Sequence, residues 1–260
     1  MTVEQKPEAP EKRLVKGGEE RRRLLRSVVV GSAVVCASLA GLLDHRLAHA
    51  APRLRPPGAI DEEDFLAACI KCGQCVQVCP IRAIELADLT DGIGNGVPYI
   101  VARDQACDFS CDATQCILAC PTGALSHSVD KKEQVKMGVA KLVDADACLA
   151  RKGKGWKGPA RGTSHHAVLR YPDIDRWKAQ PIAGHAYDLD LCDLCVRECP
   201  IEGAIALEPV SNDPADRRRT PVVKASCVGC GVCEMMCPSD PLAIRVEVKT
   251  TGRTYGGTHG

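Results

Sequence analysis

Sixteen of the seventeen cysteines fall into four groups of four, and each group closes on Cys-Pro. The first is Cys69, Cys72, Cys75 and Cys79 before Pro80, and the last is Cys227, Cys230, Cys233 and Cys237 before Pro238. Between them lie Cys107, Cys111, Cys116 and Cys120 before Pro121, then Cys148, Cys192, Cys195 and Cys199 before Pro200. A four-iron cubane takes four thiolates, so the pattern predicts four [4Fe-4S] clusters and, from them, electron transfer.

Cysteines two residues apart let one tight loop reach three corners of a cube. Gly73, Gly229 and Gly231 within those loops permit positive φ and a close backbone approach. Backbone N–H groups can then face a negatively charged cluster. The proline after the last cysteine lacks an N–H and directs the chain away. In two-cluster ferredoxins that last cysteine ligates the other cluster, so motifs work in pairs. Disulfides would need strained bridges across these short spacings and leave the repeated Cys-Pro unexplained. Structural zinc uses Cys-x-x-Cys pairs and has no use for a third cysteine three residues on.

The segments after each Cys-Pro resemble one another: CPIRAIEL, CPTGALSH, CPIEGAIAL and CPSDPLAIRV. Strand-like runs precede three of the motifs, at Val97–Val101, Ala140–Val143 and Pro221–Lys224. The first motif is instead preceded by Asp61-Glu62-Glu63-Asp64-Phe65-Leu66, a helix start with an N-cap and an acidic first turn. Repetition of this kind predicts duplicated small units rather than one large core. Aromatics are only 3% of the chain, so clusters are expected to replace much of the core and the iron-free form to be largely unfolded.

Residues 1–50 read as an address. A charged start leads into Arg21-Arg22-Arg23-Leu24-Leu25-Arg26, then an apolar stretch from Ser27 to Leu43, then Ala48-His49-Ala50 as a cleavage site. The arginine pair fits a twin-arginine signal. That route carries folded proteins, and an iron–sulfur protein must be loaded before it meets an oxidising compartment. An uncleaved anchor is the alternative, though seventeen mostly small residues are marginal for a bilayer. Cys36 lies inside this segment and is excluded from ligation. Removing residues 1–50 leaves 25 basic against 27 acidic residues, a formal −2. With roughly −2 for each oxidised cluster the loaded protein is near −10, which argues against nucleic acid as a partner.

Beyond the cysteines, the chain resembles the NapG/MauM ferredoxin-type proteins. The resemblance is carried by Leu54-Arg55-Pro56-Pro57-Gly58-Ala59, by Pro98-Tyr99-Ile100-Val101-Ala102-Arg103-Asp104, and by Met137-Gly138-Val139-Ala140 with Leu142-Val143-Asp144. It covers about residues 52–148 and 188–247. It implies the periplasmic iron–sulfur component of a quinol dehydrogenase serving nitrate reductase, itself non-catalytic. It also implies a membrane-integral quinol-oxidising partner of the NapH kind on the input side, through which the protein associates with the membrane. A periplasmic cytochrome or reductase would take the output. Two features depart from the family: three residues separate Cys107 from Cys111, and the gap from Cys148 to Cys192 is long. The insert at 151–187 holds Trp156, Trp177 and a cluster of lysines and arginines, read either as a docking surface or as a solvated loop. His165, His166 and His185 in it read as surface residues. Gly92-Ile93-Gly94-Asn95-Gly96 runs into a strand and reads as a turn, not a nucleotide loop. There is no Cys-x-x-Cys-His for covalent haem and no nucleophile–base constellation.

The expected fold is α+β, with two ferredoxin-like two-cluster units making one compact body at 51–248 and a polar tail at 249–260. Related four-cluster electron-transfer subunits imply a nested pairing. In it Cys237 completes the set of Cys69, Cys72 and Cys75, and Cys79 that of Cys227, Cys230 and Cys233. Cys199 then joins Cys107, Cys111 and Cys116, and Cys120 joins Cys148, Cys192 and Cys195. Adjacent pairing closes shorter loops and stays open. Three other functions stay open as well: the electron-transfer subunit of a molybdenum oxidoreductase, a MauM-like role in methylamine oxidation, and a maturation factor.

Overall fold

The acidic run at Asp61 does start a helix. In the computed structural model, which describes residues 16–47, 53–88, 94–111, 114–160 and 186–248, α2 spans Glu62–Ala68. Asp61 occupies the N-cap position without a side-chain cap bond, so the first-turn carboxylates of Glu62, Glu63 and Asp64 are what favour the start, by opposing the helix dipole. Phe65 anchors the helix with a fully buried ring, and the Cys69 N–H closes the last turn on the Phe65 carbonyl at 2.9 Å. Arg55 braces it from outside. Its guanidinium donates to Glu62 at 2.9 and 2.5 Å and to the Pro98 carbonyl at 2.9 Å, and lies 5.2 Å from the Phe65 ring centre.

Four shorter helices carry the cysteines: α3 (Gln74–Val78), α4 (Gln115–Leu118), α5 (Leu194–Arg197) and α6 (Val232–Met236). Each begins one residue before a cysteine and holds it in its first turn. Left-handed residues start three of them: Gly73 at φ 72°, Thr114 at φ 44° and Gly231 at φ 91°. Helix α3 packs on α4, and α5 on α6.

Antiparallel pairs frame these helices. In the second half of the chain, β3 (Gly138–Leu142) pairs with β8 (Ile244–Val248), matching Gly138 to Val248 and Leu142 to Ile244. The strand before the third motif thus joins the strand after the fourth. Inside this pair β6 (Ile205–Pro209), after the third motif, joins β7 (Arg219–Val223), before the fourth. The first half repeats the plan in reduced form. There β1 (Glu85–Leu86) pairs with β2 (Pro98–Tyr99), and the outer pair shrinks to a single bridge from Ala59 to Leu125. The strand-like runs before the second, third and fourth motifs therefore become β2, β3 and β7; of the turn expected at Gly92–Gly96, Gly94–Gly96 do turn, and Gly92 and Ile93 lie outside the described residues. The long gap before Cys192 contains a hairpin stem, β4 (Trp156–Pro159) against β5 (Ala186–Leu189). It returns the chain so that the Cys192 N–H reaches the Lys154 carbonyl at 3.0 Å.

The described residues between 53 and 248 form one compact unit, and those between 16 and 47 another. In the latter, Lys16–Leu47 is a helix, α1, on which Cys36 is exposed. Among the described residues no helix is long and apolar enough to cross a membrane. The cleavage motif Ala48-His49-Ala50, residues 161–185 of the insert with Trp177 and its three histidines, and the tail at 249–260 lie outside the described residues.

The core joins both halves of the larger unit. Phe65, Ile117, Leu125, Leu194, Met235 and Met236 are all fully buried in one cluster. Arg103 bridges the halves: its Nη1 donates to the carbonyls of Glu234 and Cys237, each at 2.8 Å, at the end of α6. The Ala106 N–H meets the Met235 sulfur at 3.3 Å beside it. Replacing Arg103 with glutamine removes these charge-assisted bonds and is expected to cost about 2 kcal/mol. The thermal loss of visible absorbance should then shift down by roughly 5 °C, with iron content unchanged.

Candidate metal centres

All seventeen cysteines are free, so disulfides are no part of this fold. Four cavities gather the sixteen motif cysteines, four to each. Cys69, Cys72, Cys75 and Cys120 line one. Cys107, Cys111, Cys116 and Cys79 line a second. Cys148, Cys192, Cys195 and Cys237 line a third, and Cys227, Cys230, Cys233 and Cys199 a fourth. Each motif thus gives three cysteines to its own cavity and its Cys-Pro cysteine to a neighbour.

The neighbour is the adjacent motif, which overturns the nested pairing. Cys237 sits with Cys148, Cys192 and Cys195, and Cys120 with Cys69, Cys72 and Cys75. Cys79 and Cys199 likewise complete the adjacent sets, not the distant ones. Loop closure is a minor cause: a roughly threefold shorter loop is worth only about 1 kcal/mol. The strand pairs decide it. The β3–β8 and β6–β7 ladders tie the third motif to the fourth, and α5 packs on α6 within them.

The irregular second motif reaches the same geometry. Phe109 at φ 54° and Thr114 at φ 44° take the left-handed conformations that Lys71 (φ 58°) and Gly73 take in the first motif. The longer spacings absorb one and two extra residues without moving the three cysteines out of the cavity.

The donor sets suit a polynuclear cluster better than a single ion. Among the described residues no group of three or more His, Cys, Asp or Glu could hold one metal ion, yet four sulfurs surround each cavity. A cubane holds its thiolates much farther apart than tetrahedral zinc does. The walls are apolar, with Ile81, Ile84 and Phe109 around one site and Leu142, Ala243 and Ile244 around another. Burial therefore disfavours a bare thiolate. It pushes Cys75 and Cys230 up to about 12 and Cys192 up to about 11, against the opposing N–H groups of Val76, Val232 and Leu194. Cys107, Cys116, Cys195 and Cys233 are also raised, by burial first and neighbouring cysteines second. Thiols so placed ionise in exchange for a bound cation rather than alone.

Among the Cys-Pro cysteines, burial raises Cys79 and Cys199 as well. Behind Pro80 and Pro121 the chain turns back so that backbone N–H groups face the sulfur: Ala83 N lies 3.3 Å from Cys79 Sγ and Leu125 N 3.4 Å from Cys120 Sγ. At Cys120 these donors outweigh the small burial and lower the thiol below its usual range. N–H···S contacts stabilise the more negative state of a bound cluster and so raise its potential.

Comparison with known proteins agrees with this donor chemistry. Residues 68–124 and 190–240 match the 4Fe-4S dicluster domain. The chain is 37% identical to the ferredoxin-type protein NapG of Escherichia coli K12, over 92% of this chain and 90% of that one. It is 36% identical to the methylamine utilization ferredoxin-type protein MauM of Methylobacillus flagellatus, over 97% of this chain and 90% of that protein. The chain belongs to the NapG/MauM ferredoxin-type family. The ferredoxin-type protein NapF of Escherichia coli K12 is more distant, 26% identical over 65% of this chain and 94% of its own. No solved structure matches. Membership in the NapG/MauM family, with the dicluster match, supports [4Fe-4S] clusters and an iron–sulfur electron-transfer role.

Two of the three segments first recognised as family-like prove to be braces, a role that sequence reading missed. Arg55 locks α2, which leads into Cys69, and Arg103 holds the end of α6 at Cys237. Each is a single arginine in a proline- or strand-rich run, and only the long-range partners reveal its use. Of the basic insert, Lys157 pairs with Asp188 at 2.7 Å and Arg151 donates to the Thr220 hydroxyl at 3.2 Å. Those two cations are used within the chain.

Proposed function

We propose that this protein relays single electrons through four [4Fe-4S] clusters, from a membrane-integral quinol-oxidising partner to a periplasmic cytochrome or reductase, as the NapG reading implies. The partner oxidises quinol to quinone with release of two protons and two electrons, and the chain accepts the electrons one at a time. The clusters supply one-electron storage at each of four positions. The observation that carries this reading is the set of four cavities with four cysteines each, linked in two pairs by exchanged Cys-Pro cysteines. Exchange brings the two cavities of a pair to opposite ends of one helix pair. The protein's own residues insulate each site with apolar walls and aim N–H groups at its sulfurs. Export in the folded state, by the twin-arginine signal at Arg21-Arg22, is part of the proposal and places the relay in the periplasm.

The near-equal identities to NapG and MauM favour one second reading, service to methylamine oxidation. The test is reduction of the anaerobically purified protein by quinol, alone and with membranes holding the candidate partner, together with iron content and electron paramagnetic resonance. About sixteen irons per chain, with reduction only when the partner is present, support the relay. Sixteen irons with no reduction by any quinol system would sink it. Which acceptor then oxidises the protein separates the nitrate from the methylamine reading.

A further inference from the structure

The four sites are not equally accessible. Among the described cavity cysteines only Cys72 is exposed; the others are buried or half-buried. Two exposed large apolar side chains, Ile70 and Leu86, lie beside the Cys72 site. Five such side chains are exposed among the described residues of the larger unit: Ile70, Leu86, Leu118, Val139 and Val143. Three of these belong to segments that carry or cover the Cys72 site. Ile70, 63% exposed, stands between Cys69 and Cys72. The tip of Leu86 lies 4.0 Å from where a Cβ on Gly73 would be. Leu118, 61% exposed, precedes Cys120 by two residues in α4.

Charge at this site is mainly acidic. Asp61, Glu63 and Asp64 are exposed on α2, which runs directly into Cys69. At 1.5 Å per residue, Glu63 stands about 9 Å along the chain axis from Cys69. Glu85 is exposed on β1, beside Leu86. Lys71 is the single cation of the Cys69–Cys75 loop, and its side chain lies along Gly96, with Cδ 3.2 Å from where a Cβ there would be. An apolar centre with a charged rim is the pattern of a small, transient protein interface. Electron transfer slows steeply with distance, so the site whose ligand reaches the surface is the one a partner can use.

We propose that the site of Cys69, Cys72, Cys75 and Cys120 is the port through which this protein meets a redox protein whose contact face is apolar at its centre and rimmed by lysine and arginine. This rests on the relay reading above. At the port one electron leaves the reduced chain and reduces one ferric haem to ferrous, with no proton transferred.

Mitochondrial cytochrome c, a basic one-electron acceptor, is the probe. The full-length loaded protein, reduced with dithionite and desalted, is mixed with it anaerobically in a stopped-flow instrument. The expected second-order rate falls about tenfold between low and moderate salt. The double variant Glu63→Lys with Asp64→Lys should lose about tenfold at low salt and most of the salt dependence. Leu86→Ser should lose a few-fold, whereas Val139→Ser, on β3, should lose nothing. Calorimetric binding of oxidised cytochrome c should weaken in the same order. Iron content, resonance spectra and the rate with benzoquinone, a small neutral acceptor, should stay as in the unaltered protein. Rates and affinities untouched by the charge reversal, in protein with full iron, overturn the port; so does an equal loss from Val139→Ser. Those results leave quinol-driven reduction intact, whereas failure of that reduction strikes the relay itself.

Discussion

Serine in place of Cys237 is expected to empty the same site as serine in place of Cys195, and not the site of Cys72. Cys237 lies in the fourth motif, yet it lines the cavity of Cys148, Cys192 and Cys195. Each single variant should fall from about sixteen irons to about twelve, since a cubane that loses one thiolate is readily lost. The double variants separate the two pairings. Cys195→Ser with Cys237→Ser should stay near twelve, because both act on one site. Cys72→Ser with Cys237→Ser should fall to about eight, because independent sites add. Nested pairing requires the reverse. Iron analysis on protein purified without oxygen reads the answer directly, and resonance spectra identify the missing signal. The effect reaches beyond one site. The Cys237 carbonyl also receives Arg103, so the end of α6 is held both by its cavity and by the opposite half of the chain.

The cysteine sets were legible because cluster chemistry fixes their number and spacing, and the strands before the motifs because alternating apolar residues mark them. Helix α2 was legible for the same reason: Asp61 to Asp64 oppose the dipole, and Phe65 anchors the turn. The partner of each Cys-Pro cysteine was not. Cys237 lies only four residues beyond Cys233 in its own motif, and only the folded chain shows that it lines the cavity of Cys148, Cys192 and Cys195. Nor could spacing show that Phe109 and Thr114 adopt left-handed conformations, which non-glycine residues seldom take. The irregular second motif therefore looked like a departure, while its fold is the ordinary one. The insert was read by composition as a basic patch. Two of its cations proved to serve the stem and its neighbour, at Asp188 and Thr220.

Alanine at Gly229 is expected to do far more damage than its backbone angle alone would cause. Gly229 has φ +71°, and the equivalent residue of the first motif, Lys71, has φ +58°. The second motif places Phe109 there at φ +54°. A side chain in this conformation is thus tolerated twice in the same protein, at a cost of about 1 kcal/mol each. What forbids it at Gly229 is β3. A Cβ there would stand 2.3 Å from the backbone N, C and O of Gly138. Backbone cannot rotate aside, and Gly138 itself is pinned, since a Cβ on it would meet the Glu247 carbonyl oxygen at 2.4 Å. Two glycines therefore let the loop of the fourth motif lie directly against the β3–β8 ladder, with the Met137 N–H closing on the Val228 carbonyl at 2.9 Å. Gly229→Ala must push the strand off the loop, breaking that bond and displacing Cys227 and Cys230 together. The expected result is a melting temperature lower by about 10 °C or more, in line with a loss of about 4 kcal/mol, and iron lost from that site. Gly73→Ala supplies the control: φ is +72°, and the nearest atom to a new Cβ is the tip of Leu86 at 4.0 Å. It should cost only about 1 kcal/mol and keep its iron. Equal effects from the two substitutions would mean that backbone angle governs both positions, and that the close approach of β3 to the cluster loop carries no weight.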